Sequence, residues 1–310
     1  MTLRTIEAFI ATVAPNRATV VFSPEFIAIF GSSIALKRRR AKPKSFRDAF
    51  YWWLLDNRQG LKDLLLLPEN YNDWSDFSVY TDLLLFEQDL AYLTNAVLIF
   101  LESPGSIAEL GAFSQIKSLS QRLIVVVKEN HHPKKSFISL GPLCSIETTQ
   151  SNCVCVIPDV KPEKLIEHVS VIIDMLDKKR SDVKSHGNFD DKNSQHQILL
   201  ILDFINLFLV VQLNELESLA NHFGVKIQRT RIKQILFLLE RTRLVSVRRY
   251  GSIDYYSPQL FRQEYIDYTS KIWSRPFNRT TTKTYAWEEI KRDPYRKNIL
   301  EAAFSRKNIK

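Results

Sequence analysis

A chain of 310 residues with 45% hydrophobic and 25% charged residues has the composition of a folded protein long enough for two cores, which excludes a disordered or low-complexity chain. Its net charge of +9 is carried unevenly: residues 1–194 hold 23 Lys+Arg against 23 Asp+Glu, and residues 195–310 hold 20 against 11, so the C-terminal part suits a polyanionic partner. Three cysteines, Cys144, Cys153 and Cys155, fit neither a disulfide framework nor metal-ligand spacing and suit a reducing cytoplasm.

The first part alternates strand and helix patterns. Residues 26–30 read as a strand ending at Gly31-Ser32-Ser33, residues 45–55 as a helix, and residues 64–67 as a strand ending at Pro68-Glu69. Residues 82–93 read as a helix leading into an apolar strand at 96–101. Residues 123–128 and 153–157 read as further strands, and 162–179 as a closing amphipathic helix. Strands separated by helices predict an α/β fold, a parallel sheet with helices on both faces. Three strand ends then converge, at Gly31, at Pro68-Glu69 and at Glu102 to Ser106, where open α/β sheets bind ligands.

The segment Thr94 to Phe113 holds the main candidate for chemistry. Its apolar run is ended by Pro104 and Gly105, and Ser106 reads as the N-cap of the following helix, with Glu109 just beyond. Free amides at that helix start favour a phosphate or carboxylate, and the Ser103 and Ser106 hydroxyls add donors. Ser106-x-x-Glu109 also fits a capping box, in which Glu109 folds back on its own helix. Both uses of Glu109 stand at this point.

Residues 181–195 are polar and aperiodic and read as a linker, dividing the chain into 1–180, 181–195 and 196–310. After it come an apolar helix at 198–211, helices at 214–223 and 228–242 around a Gly224-Val225 turn, and a hairpin of 244–247 with 253–256. Helix, turn, helix and hairpin together suggest a mainly α winged helix-turn-helix domain. Arg229, Arg231 and Lys233 then lie on or near the recognition helix and Arg248 and Arg249 in the wing, suited to phosphate or base-edge contacts. Arginines on a helix face also serve simply as solvated surface.

The tail interleaves basic residues with Phe261, Tyr265, Tyr268, Trp273, Phe277, Tyr285, Trp287 and Tyr295, a mixture that stacks on bases or packs a helix on its neighbour. Lys37-Arg38-Arg39-Arg40 reads as a polyanion or substrate-phosphate patch or as a solvated loop. His131 and His132 read as an exposed pair. Residues 1–10 lack a signal-peptide pattern and 198–213 are too short for a bilayer, so a cytoplasmic, membrane-free protein without cofactor or metal is expected.

Across Glu102-Ser103-Pro104-Gly105-Ser106-x-x-Glu109-Leu110-Gly111-Ala112-Phe113 the sequence resembles the nucleoside 2-deoxyribosyltransferase-like effectors of bacterial retrons. Pro68-Glu69, Glu87, Lys135-Ser136-Phe137-Ile138, Gly141-Pro142 and the order of domains extend the likeness over most of the chain. The resemblance implies a Rossmann-like deoxyribosyltransferase-type sheet and an N-glycosidase toxin of an anti-phage system, held inactive by the retron reverse transcriptase and its branched RNA–DNA product, msDNA. It implies that Glu109 acts on the anomeric carbon of a nucleotide or nucleoside. At Ile29-Phe30-Gly31-Ser32-Ser33 the chain departs from deoxyribosyltransferases, which start with a tyrosine-bearing strand.

Cleaving an N-glycosidic bond builds oxocarbenium character at C1′, which a carboxylate such as Glu109 stabilises or traps covalently. In this reading Gly31, Ser32, Gly105 and Ser106 position ribose or phosphate, while Pro68, Glu69, Glu102 and Ser103 complete the substrate site, Glu69 and Glu102 orienting hydroxyls or protonating the base. NAD and adenine nucleotides are the foremost substrates. Three other readings stay open: a nucleotide phosphoribohydrolase, a nucleotide-sensing DNA-binding regulator, and a non-catalytic msDNA-binding scaffold.

Overall fold

The computed structural model describes residues 2–22, 24–35, 42–74, 79–133, 135–181, 187–225, 228–259 and 264–305. The basic run at 37–40 and Phe261 lie outside them. In chain order the elements begin with α1 (Arg4–Thr12) and β1 (Thr19–Val20), followed by β2 (Phe26–Phe30), α2 (Phe46–Asn57), β3 (Leu65–Leu66) and α3 (Leu83–Tyr92). Next come β4 (Thr94–Phe100), α4 (Pro104–Ser114), α5 (Lys117–Ser120), β5 (Leu123–Lys128), α6 (Cys144–Thr149), β6 (Val154–Ile157) and α7 (Val169–Ser181). The remainder is β7 (Gly187–Asn188), α8 (Ser194–Phe208), β8 (Val211–Gln212), α9 (Leu213–His222), α10 (Arg229–Arg241), β9 (Val245–Tyr250), β10 (Ile253–Pro258), β11 (Ile266–Asp267), α11 (Arg279–Ile290) and α12 (Pro294–Ser305).

The fold is mixed α/β, and its contacts divide it into two compact units. One, here the sheet unit, comprises Pro24–Asp73 and Asp82–Lys184; the other, the basic unit, joins Met1–Ser23 and Trp74–Thr81 to Ser185–Lys310. The division therefore differs from a single cut at a linker, because the chain's first 23 residues pack in the later unit. Their Phe9 ring meets Phe204, Phe208 and Tyr268 at 6.0, 5.4 and 5.0 Å.

In the sheet unit five parallel strands run in the order β3-β2-β4-β5-β6. Val, Ile, Leu and Phe fill β2, β4 and β5 because these strands are covered on both faces. On one face Ile27, Ile29, Leu98, Phe100, Ile124 and Val126 form a core with Phe46, Phe50 and Leu54 of α2 and Ile172 and Leu176 of α7. On the other, Phe113 of α4 meets Phe30 edge-on at 5.3 Å. This strand order reverses direction between β2 and β4, and the crevice beyond their C-terminal ends is where such sheets hold ligands.

Several elements differ from the sequence expectation. The strand expected at 64–67 is only Leu65–Leu66, since Gln59–Leu64 winds into a 3-10 helix. The helix expected at 162–179 is broken at His168 into a 3-10 segment, Pro162–Glu167, and α7. Arg248 and Arg249 lie inside β9 rather than in the turn, which is the tighter Gly251-Ser252 pair with Gly251 at φ +59°.

The basic unit is built around α8, whose residues 198–208 are all buried. α9, α10 and a three-stranded antiparallel sheet, β8-β10-β9, surround it, and β1 pairs with β11 and β7. Among the described residues no helix is long and apolar enough to cross a membrane.

Candidate active site

The first turn of α2 organises the sheet's C-terminal edge. Its N-cap Ser45 accepts from the Asp48 amide at 2.9 Å. Beside it the Glu102 carboxylate, just past β4, accepts from the Phe46 and Arg47 amides at 2.8 and 3.1 Å. An anion thus neutralises the exposed donors and positive end of α2, and Glu102 is turned to this helix instead of presenting both oxygens to a ligand. Asp48 closes a second link, accepting from the Ala35 and Lys44 amides at 3.1 Å each.

Arg47 is the hub. Its side chain is 4% exposed and donates to the Ser32 carbonyl at 3.0 Å, to the Ile29 carbonyl, and to Glu69 Oε2 at 2.8 Å. It therefore joins the end of β2 to the Pro68-Glu69 segment, a half-buried 3-10 turn after β3. Gly31 makes this closeness possible: at φ +139°, a Cβ there would fall 3.0 Å from Phe100 Cβ and 3.1 Å from Arg47 Cδ.

The loop after β4 is shorter than the sequence suggests. Ser103, not Ser106, is the N-cap of α4, and Pro104 occupies its first helical position. A proline's missing N–H is no loss there, so the Pro-Gly pair starts the helix instead of delaying it. Ser106 is the third helical residue and completes a capping box with Ser103: its amide donates to Ser103 Oγ at 3.2 Å, while its Oγ accepts from the Ser103 amide at 3.1 Å. Both hydroxyls are thereby engaged in the cap, contrary to their expected use as ligand donors. Gly105, exposed at the second position, has an amide with no intrahelical partner.

Glu109 consequently sits at the sixth helical position, beyond reach of its own N-cap, and the capping-box use of its carboxylate is ruled out. Its Oε2 is buried without a hydrogen-bond partner, as are Glu69 Oε1 and Arg47 Nε. A third carboxylate joins them from α3: Glu87, 7% exposed. Burial, followed by repulsion from Glu109 and Glu69, pushes Glu87 up to about 8, against the pull of Arg47. Burial also pushes Glu109 up to about 7, opposed by Arg47 and reinforced by Glu69. Tyr51, on α2, is raised by burial and then by Glu69. Both carboxyls are thus raised by burial, so near neutral pH the cluster retains a proton, the condition under which a site can pair a general acid with an ionised carboxylate.

Sequence reasoning thus located Glu69 and Glu109, quoted Glu87 only within a likeness, and missed Arg47 and Tyr51. A signal was present for Arg47. Ser45-Phe46-Arg47-Asp48 reads as a capped helix start beginning one loop after a strand end, the place where a helix's first turn faces a ligand crevice.

In the basic unit the expected nucleic-acid residues separate. Arg229, Lys233 and Arg249 line a cavity of about 890 Å³ between α10 and the β9–β10 hairpin, with Glu240 and Asp254 also in its wall. Arg249 is bound to its cross-strand partner Asp254 at 2.6 and 2.9 Å, and Arg229 to Glu217 at 2.8 Å. Arg248, one residue along β9, is exposed and takes the opposite side of the strand. Arg231 approaches Gln234 on its own helix at 3.4 Å. Of the tail aromatics, Tyr265 and Tyr268 are buried, whereas Trp273, Tyr285 and Tyr295 are exposed.

Comparison with known proteins bears on both units. A 74-residue segment is 43% identical to a protein of Escherichia coli named as the candidate ribosyltransferase/DNA-binding protein of retron Ec73, covering 24% of this chain and 23% of that protein. A 72-residue segment is 39% identical to the corresponding candidate protein of retron Ec86, also from Escherichia coli, covering 23% of this chain and 24% of that protein. The chain thus matches about a quarter of the length of these curated relatives. A far longer match, residues 43–247, is to the family described as STM3845 retron effector protein. That span takes in the whole Arg47, Glu69, Glu87 and Glu109 cluster and runs on through α8, α9 and α10, and the chain belongs to this retron effector family.

Proposed function

We propose that the protein is the toxin of a retron anti-phage system and that it hydrolyses the N-glycosidic bond of a nucleotide or nucleoside, adenine nucleotides and NAD foremost, with Glu109 as the catalytic carboxylate. The observation that carries this reading is the unpartnered, buried Oε2 of Glu109 among Arg47, Glu69 and Glu87 at the switch point of a parallel sheet. The ribosyltransferase part of the relatives' names supports the same bond as the target.

In the proposed reaction ionised Glu109 attacks C1′ and the C1′–N bond breaks toward the base. A departing purine takes up the proton that Glu87 supplies, directly or through water, whereas nicotinamide departs as a neutral base and takes none. Water then opens the glycosyl ester at C1′, its hydroxyl going to the sugar and its proton back to Glu87 after purine loss or to solvent after nicotinamide loss, which restores the Glu109 carboxylate. Arg47 holds Glu69 and the end of β2 in place, and the Gly105 amide and Gly31-Ser32 segment receive the sugar or its phosphate.

For the basic unit the proposal is a winged helix-turn-helix, with α9 and α10 as the helix pair and β9–β10 as the wing, that contacts msDNA while the reverse transcriptase restrains the toxin. The DNA-binding part of the relatives' names supports it.

The decisive experiment incubates purified protein, free of msDNA, with NAD, ATP, dATP and nucleosides and identifies released bases by chromatography. Adenine release is expected to be bell-shaped in pH with its optimum near neutrality, where the raised Glu87–Glu109 pair holds one proton. In Glu109→Gln it should fall at least about 10³-fold with an unchanged circular dichroism spectrum. Undiminished release by that variant removes Glu109 from the mechanism.

A further inference from the structure

A second cavity, of about 720 Å³, runs within the basic unit along α1 and α11 and is closed on one side by residues 270–278. Nothing in the proposed reaction uses it. α1 and α11 are held together at one end by Glu289, whose carboxylate accepts from the Arg4 and Thr5 amides at 3.0 and 2.9 Å. On α1 the lining residues Arg4, Ala8 and Thr12 recur every four positions, and on α11 Thr281, Tyr285 and Glu288 recur every three or four, with Arg292 in the turn just beyond. Each set is one exposed helix face, so the cleft is a groove between two helices.

The floor is apolar, formed by Phe9, Pro276 and Phe277. Two apolar side chains of its lining are left in water by folding: Ile272, 46% exposed, and Tyr285, 63% exposed. Arg4, Arg275 and Arg292 line the groove, and among the described residues their guanidinium groups have no hydrogen-bond or ion-pair partner. The two carboxylates present are already engaged, Glu289 on the start of α1 and Glu288 with Lys291 at 3.0 Å. Tyrosine and arginine around an apolar trough are among the residue types that dominate protein-binding energy.

We propose that this groove docks an acidic amphipathic helix of a protein partner. Charge sets the sign of the occupant: three arginines without partners outnumber the two lining glutamates, of which Glu288 is offset by Lys291. Its chemistry follows from the floor, because a buried apolar strip accepts Leu or Ile side chains at i, i+4 and i+7, whereas a phosphodiester backbone gains nothing there. Glu288 and Glu289 also interrupt the continuous positive track that a single nucleic-acid strand needs. Arg4–Thr12 spans roughly 12 Å, which matches about two turns of a docked helix.

The test is fluorescence anisotropy on the full chain with three labelled probes. These are a helical peptide of about 14 residues with leucines at i, i+4 and i+7 and glutamates flanking them, the same peptide with lysines for glutamates, and a single-stranded oligothymidylate of similar length. The glutamate peptide should bind saturably, at least about tenfold more tightly than the lysine peptide or the oligonucleotide. Tyr285→Ala and the double variant Arg275→Glu/Arg292→Glu, both at exposed positions, should each weaken it about tenfold or more while leaving base release intact. Absence of saturable glutamate-peptide binding, binding that survives both variants, or preferential oligonucleotide binding that these substitutions abolish overturns the proposal, the last assigning the groove to nucleic acid.

Discussion

In the basic unit Glu215 and Arg296 are wholly buried, yet each Glu215 oxygen is doubly satisfied: Oε1 by Leu3 N and Arg296 at 3.0 and 2.9 Å, Oε2 by Gln212 N and Arg296 at 2.8 and 3.0 Å. Asp203, also fully buried, accepts from the Tyr265 amide at 2.8 Å, the Tyr268 hydroxyl at 2.6 Å and both ends of the Arg279 guanidinium. In the sheet unit three carboxylates, Glu69, Glu87 and Glu109, share a single arginine, and buried oxygens of two of them have no partner. Charge withdrawn from water is thus handled in opposite ways in the two units. Where every lone pair is used, the charge fastens elements of the fold; where acids outnumber bases and lone pairs stay open, the arrangement costs stability, which the proposed role of Glu109 would explain.

The comparison breaks most visibly at Glu215. Glu215→Ala leaves the buried Arg296 with only the more exposed Asp293 at 3.3 Å as counter-charge and should cost about 3 kcal/mol of unfolding free energy in urea melts. A loss under about 1 kcal/mol would mean that satisfaction of the pair is not what holds this region.

Glu87→Gln should act with the opposite sign. Because its folded-state value, about 8, lies above the ordinary 4.5, the native state binds more protons than the unfolded chain between those pH values. The wild-type protein therefore loses stability as pH rises through that window. The variant should match wild type near pH 5 and be the more stable by about 1–3 kcal/mol near pH 8.5, read from melts at the two pH values. A variant less stable than wild type at both would place Glu87 with Glu215 as a structural acid.

Smallest is the cap of α4. Ser103→Ala removes the acceptor for the Ser106 amide and should cost about 1 kcal/mol by the same melts, with its larger consequence in base release if the start of α4 shifts.

Much of the sheet was legible because β4 and β5, covered on both faces, are uninterrupted apolar runs whose lengths suit strands. The start of α4 was misjudged by three residues because Pro104-Gly105 has two physical uses, turn and first helical turn, and only the Ser103 cap distinguishes them. Glu109 was visible beside that motif, but its freedom from capping depends on that same register. Arg47 and Glu87 were harder: each is a polar residue in an otherwise ordinary helix, and their burial together is set by the pairing of β2, β3 and β4, which is non-local. The membership of residues 1–23 in the later unit rests on Phe9 meeting rings some two hundred positions away, and no local pattern encodes it.

Asp48 carries a further consequence. By holding the Ala35 and Lys44 amides on the two oxygens of one carboxylate, it makes the exit from β2 and the approach to α2 a fixed pair of anchor points. What is spliced between those anchors can lengthen or change composition at a loop-closure cost that grows only logarithmically. Arg47, one residue before the staple, stays where it is. A connection of another length or composition between these anchors would leave the Arg47 edge and its Glu69 and Glu102 contacts in place.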